Sequence, residues 1–69
     1  MVNINKLKGK FTEKRKSYAE AAKLLNCSKS TINNKLNGRA EIDCTEAVLL
    51  SRFLSLTTEE SVEIFLPNL

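Results

Sequence analysis

The 69 residues contain no histidine and no tryptophan, and only one tyrosine, one proline, two glycines and two cysteines. Each scarcity excludes something. Without histidine the chain lacks the commonest general base and metal ligand, and Cys27 and Cys44 alone make no metal-spaced cluster. No nucleophile and base pair suggests itself, and no glycine-rich phosphate loop is present, so neither an enzyme nor a cofactor, metal or small-molecule site is expected. So little glycine and proline gives too few turns for an all-β fold. No apolar run approaches the roughly 20 residues that cross a bilayer, and the N-terminus lacks a secretory apolar segment. The expectation is a cytoplasmic chain without membrane contact, its two cysteines reduced and mostly buried.

What is present suits a compact helical bundle. Hydrophobic residues make up 42% of the chain, and residues 1–69 read as a single domain, small enough to bury only about 60% of its unfolded surface. After a loose start at residues 1–3, Asn3 or Asn5 can cap a first helix. Ile4, Leu7 and Phe11 give it a narrow apolar stripe to about Lys16. Gly9 interrupts that stripe, as a close helix crossing would require.

The organising stretch is 17–38. Ser17 with Glu20 is a capping box that starts a second helix at Tyr18, with Ala21, Ala22 and Leu25 at helical spacing. Asn26 tolerates the left-handed turn that ends it, and Cys27 follows as a small apolar plug. Ser28 caps a third helix, Lys29 to Leu36, closed by Asn37-Gly38. Ile32 and Leu36 define its buried side. At about 100° per residue, Ser30 and Asn34 then point away from that side, flanked by Thr31, Asn33 and Asn37 and led by Lys29. The outward face holds hydroxyls and carboxamides and no acid. Asn can pair with adenine in the major groove, Lys can donate to guanine, and Ser or Thr can do either. A solvated surface helix would more economically use Glu, Lys, Ala and Gln.

The segment AAKLLNCSKSTINNKLNG resembles the helix-turn-helix of the lambda-repressor-like superfamily, particularly short Cro and repressor-like proteins of phages and prophages. The resemblance rests on Ala22 at the small position of the first helix of the motif, the four-residue turn after Leu25, Ile32 as apolar anchor, and the closing Leu36-Asn37-Gly38-Arg39. It implies an all-α, five-helix lambda-repressor-like bundle whose second and third helices form the motif. It also implies a sequence-specific transcriptional regulator bound to a double-stranded DNA operator. Lys29, Ser30, Asn33 and Asn34 would read bases, while Ser28, Thr31, Asn37, Arg39, Lys14 and Arg15 would meet the DNA backbone. Asn26 stands where glycine is commonest in that family. Tyr18 stands where many members carry a phosphate-clamping glutamine, and its hydroxyl is the candidate replacement.

Beyond the motif, Asp43 with Glu46 opens a fourth helix, with Ile42 as staple. Its broad apolar run from Ala47 to Leu54 is expected to supply most of the core. Thr57 with Glu60 opens a fifth helix of two turns, and Pro67 forbids its continuation. The apolar end, Ile64, Phe65 and Leu66, is a candidate homodimer patch, although Val62 and Phe65 folding back on the core is an equally direct reading. Charge is divided by sequence. Residues 1–39 hold ten bases and two acids, net +8, whereas residues 40–69 hold one base and six acids, net −5. The basic half carries the candidate reading helix, which favours a polyanion partner. The acidic half offers a separate surface for a protein partner, so an antirepressor or polymerase modulator, or the DNA-binding antitoxin of a toxin pair, stays open.

Overall fold

A computed structural model describes residues 2–66. Within them the chain forms five helices and no strand: α1 (Ile4–Glu13), α2 (Tyr18–Leu24), α3 (Lys29–Leu36), α4 (Cys44–Phe53) and α5 (Thr58–Phe65). All five starts are capped by a side chain. Ser17, Asp43 and Thr57 each complete a full capping box with Glu20, Glu46 and Glu60, and Asn3 and Ser28 cap α1 and α3. Each cap satisfies backbone donors that a helix start leaves without partners. Pro67 lies outside the described residues, so its role as the stop of α5 does too.

The ends of α1 to α4 share one device. After α2, Asn26 sits at φ +52°, and the N–H of Cys27 returns to the carbonyl of Ala22 at 3.0 Å. Gly38, at φ +76°, lets the N–H of Arg39 return to Asn34 at 2.8 Å. Arg15 (φ +55°) and Ser55 (φ +52°) do the same after α1 and α4, without the relief that glycine or asparagine brings. The turn at Arg15 stops α1 at Glu13, short of Lys16. The Lys14-Arg15-Lys16 triplet is therefore an exit and not a last helical turn.

The core draws two side chains from almost every element: Leu7 and Phe11, Ala21 and Ala22, Ile32 and Leu36, Leu50 and Leu54, Ile64 and Phe65. The expectation that the fourth helix dominates is thus corrected. Its Leu50 is fully buried, but Val48 is 50% exposed, so only part of its apolar run reaches the core. The two alanines of α2 leave room for α3 to pack closely. Phe11 meets the edge of Tyr18 at 5.1 Å between ring centroids, and Phe53 at 6.1 Å.

α1 and α5 are clasped together. The Asn3 N–H donates to the Ile64 carbonyl at 2.8 Å, so the start of the chain is tied from Asn3 onward, not loose. Lys6 pairs with Glu63, and Lys10 with Glu60 and Glu13. Two further expectations fail here. Cys44 is exposed in the first turn of α4, with only Cys27 half-buried. Gly9 is exposed, and a Cβ built on it would meet nothing within 4 Å, so no helix crossing explains it.

Gly9→Ala should therefore stabilise the fold by about 1 kcal/mol, and Ser55→Gly by about 0.5 to 1 kcal/mol, each read as a raised melting temperature. The clasp predicts an acid limb. The Lys10 ammonium and the Thr57 backbone N–H hold the Glu60 carboxyl at about 2, against an ordinary 4.5. A carboxyl depressed in the folded state contributes stability that is complete above pH 4.5 and is lost as pH falls toward about 2. Melting curves from pH 7 to 2 should show that decline, and Glu60→Gln should flatten it.

Candidate nucleic-acid interface

The orientation of α3 is set from beneath. Ile32 and Leu36 are fully buried, and four residues apart they pin one side of an eight-residue helix. The opposite side is then forced outward. Lys29, Ser30, Asn33, Asn34 and Asn37 are all exposed, and Thr31 is half-buried. The turn that delivers α3 is the four residues Leu25 to Ser28, with Asn26 left-handed and Cys27 half-buried beneath it.

Several of the expected phosphate contacts carry structural duties as well. Ser28 Oγ accepts the Thr31 backbone N–H at 3.1 Å and lies 2.9 Å from Thr31 Oγ1, so the two hydroxyls form one cap at the front of α3. Asn37 donates its Nδ2 to the Asn33 carbonyl at 2.8 Å and accepts from Lys8 Nζ at 3.1 Å. Tyr18 is half-buried, its ring held against Phe11. Arg15 and Arg39 are exposed, and Lys14 lies 3.9 Å from Glu13. Lys16 sits 5.2 Å over the ring of Phe53.

Electrostatically the two halves of the sequence interlock instead of forming separate poles. Glu63 and Glu60 neutralise Lys6 and Lys10 on one flank of α1. Glu46 bonds Lys35 Nζ at 3.0 Å and so ties α3 to α4, while the Glu41 carbonyl takes a second bond from the same ammonium at 3.0 Å. With Asp43 serving as the cap of α4, four of the six acids of residues 40–69 are engaged within the bundle, while the exposed Glu41 and Glu59 carboxylates have no partner among the described residues. What remains is an excess of cations. Lys8, Arg15, Lys16, Lys23, Lys29, Arg39 and Arg52 have no acidic partner among the described residues, and Lys29 leads the acid-free face of α3.

The C-terminal patch needs correction. Ile64 is fully buried and Phe65 is 5% exposed, because α5 turns both toward α1 and the core. Ile64 supplies no docking surface, and Phe65 only lines a groove between α4 and α5. Val62, read as folding inward, is 42% exposed, and with Leu66 and Val48 it borders a groove of about 420 Å³ between α4 and α5. Among the described residues no group of three or more His, Cys, Asp or Glu could hold a metal, and no helix is long and apolar enough to cross a membrane.

A small helical bundle presenting a polar, acid-free helix among unneutralised cations is the architecture of a DNA-binding helical domain. The family match agrees: residues 1–36, just over half of the chain, match the NUMOD1 domain, and the chain belongs to that family. The match covers α1, α2, the turn after it and α3 through Leu36. No curated protein and no solved structure matches the chain.

Proposed function

We propose that this chain is a sequence-specific double-stranded DNA-binding regulator that reads the major groove with α3, in the manner of the Cro-like proteins it resembles, and that it acts in the cytoplasm by occluding a promoter. The observation that carries the reading is the exposed face of α3, held outward by the burial of Ile32 and Leu36. Lys29, Ser30, Asn33 and Asn34 contact base edges. Ser28, Thr31, Tyr18, Lys14, Arg15, Asn37 and Arg39 position the DNA backbone. No catalytic role is proposed for these residues.

A second reading draws on the family, which is associated with nicking and homing endonucleases. There the same face would deliver a nuclease to its site, the cutting chemistry residing outside these residues. The readings of antirepressor, polymerase modulator and antitoxin have less support, since four of the six acids they would use are engaged in caps and ion pairs.

Selection of bound duplexes from a random pool at two salt concentrations tests the DNA reading directly. Asn34→Ala should relax preference at one position by about 1 to 3 kcal/mol, whereas Arg39→Ala should weaken all duplexes alike and flatten the salt dependence. An unchanged ranking of competitors for Asn34→Ala would show the reading face to be misassigned. Promoter occlusion by the chain alone in a transcription assay separates the regulator from the nuclease-targeting reading.

One eight-residue reading helix spans too few base pairs for high specificity, so a homodimer on half-sites about 34 Å apart completes the proposal. Its contact surface is the α4–α5 groove bordered by Val48, Val62 and Leu66. Val62→Asp should leave the melting temperature within a few degrees of wild type while abolishing dimers in sedimentation on DNA. Dimers that persist in this variant place the contact elsewhere.

A further inference from the structure

Lys8 stands apart from the other lysines that bridge helices. Lys6, Lys10 and Lys35 each meet a carboxylate, whereas Lys8 reaches from α1 to the end of α3 and donates to a neutral group, Asn37 Oδ1, at 3.1 Å. Its charge is therefore not cancelled, and an ammonium keeps two further donors. The bond also fixes the Asn37 amide. With Oδ1 facing Lys8 and one N–H given to the Asn33 carbonyl at 2.8 Å, reversing the amide would set its NH₂ against the ammonium. The second Nδ2 hydrogen has no partner among the described residues.

Arg39 completes the surroundings. Its backbone N–H is tied to the Asn34 carbonyl at 2.8 Å, and it lines a shallow hollow with Gly38, Lys35, Glu41 and Ile4, the last one helical turn before Lys8 on α1. Two cations thus flank one end of the reading helix, and that end is the C-terminal one. A helix C-terminus carries negative partial charge and by itself repels an anion. Uncancelled cations are what convert such an end into an anion site; Lys8 reaches Asn37 from α1, and Arg39 follows Asn37 by two residues in the chain.

We propose that Lys8, a residue outside the helix-turn-helix, forms with Asn37 and Arg39 a composite site for one phosphate of the DNA backbone at the C-terminal end of α3. Lys8 acts twice there, as a direct phosphate ligand and as the group that orients the Asn37 amide. The inference rests on the DNA reading above. It adds that α1 is part of the interface and that the far end of α3 is clamped to one strand.

The test uses duplexes selected from a random pool, each with a single phosphate replaced by neutral methylphosphonate in turn. Wild type should lose affinity at one position to which Lys8→Gln is indifferent, and the slope of log K against log salt should fall by about 0.9 in that variant. Lys8→Arg should keep the slope. Lys6→Gln removes the same charge from a lysine already paired with Glu63, and it should keep the slope too. If wild type binds duplex and Lys8→Gln retains the full slope, or is weakened equally on every methylphosphonate duplex, the site is refuted while the DNA reading survives. Saturable binding of inorganic phosphate to wild type but not to Lys8→Gln, with no duplex position masked, assigns the site to a free anion and also overturns the proposal. A wild-type chain with no salt-dependent duplex binding removes the DNA reading itself.

Discussion

Everything the surface of α3 presents depends on the burial of Ile32 and Leu36. Each is fully buried, a contribution of about 1.5 to 3 kcal/mol apiece. Their spacing allows only one rotation of the helix about its axis. Ala21 and Ala22 set the depth, since their small side chains let α3 approach α2. Larger groups at those two positions would lift α3 and move its polar face relative to Arg39 and Lys8. The left-handed Asn26 and the Ser28 cap then fix where α3 begins. Rotation and depth are decided by residues turned away from the exposed face of α3, and the starting point by the turn and cap at its front.

The ion pairs do different work. Exposed pairs are worth at most about 1 kcal/mol each, so Lys6 with Glu63 adds little stability. Their larger effect is on where charge remains. Glu60 and Glu63 take the α5 flank of α1 out of play, and Glu46 does the same for Lys35 on the α4 flank of α3. Apart from Arg52 on α4, the cations left over lie on or near the helix-turn-helix and on Lys8 of α1. A modest net charge of +3 becomes a directed one because the acidic half of the sequence folds back onto selected lysines.

This distribution also shows what a sequence reader can and cannot see. The four expected caps at Ser17, Ser28, Asp43 and Thr57, the turn at Asn26 and the buried pair of α3 are local patterns, set by residues within a few positions of one another, and they were legible. The facing of α5 was not. Val62, Ile64, Phe65 and Leu66 spread around most of an eight-residue helix, so periodicity cannot choose between Val62 and Ile64, and the choice falls to the approach of α1. Arg15 and Ser55 carry no signal for a left-handed turn. Packing of Lys16 and Leu56 after them imposes the conformation against local preference. Lys8 was one of many lysines in the basic half. Only the position of Asn37 distinguishes it from Lys6 and Lys10.

The composition of α3 follows from this division of labour. Ser30, Thr31, Asn33 and Asn34 are each about 0.5 kcal/mol poorer than alanine in a helix, so together they cost about 2 kcal/mol. An isolated eight-residue peptide with that content would not hold a helix in water. The Ser28 cap returns about 1 kcal/mol, and the burial of Ile32 and Leu36 exceeds the rest. Because stability comes from the ends and the underside, the outer face is under no obligation to favour helix formation. Ser30, Asn33 and Asn34 are free to be chosen for what they can hydrogen-bond, whereas Thr31 also serves the cap with Ser28; replacing those three changes the chemistry offered to a partner without moving the helix that offers it.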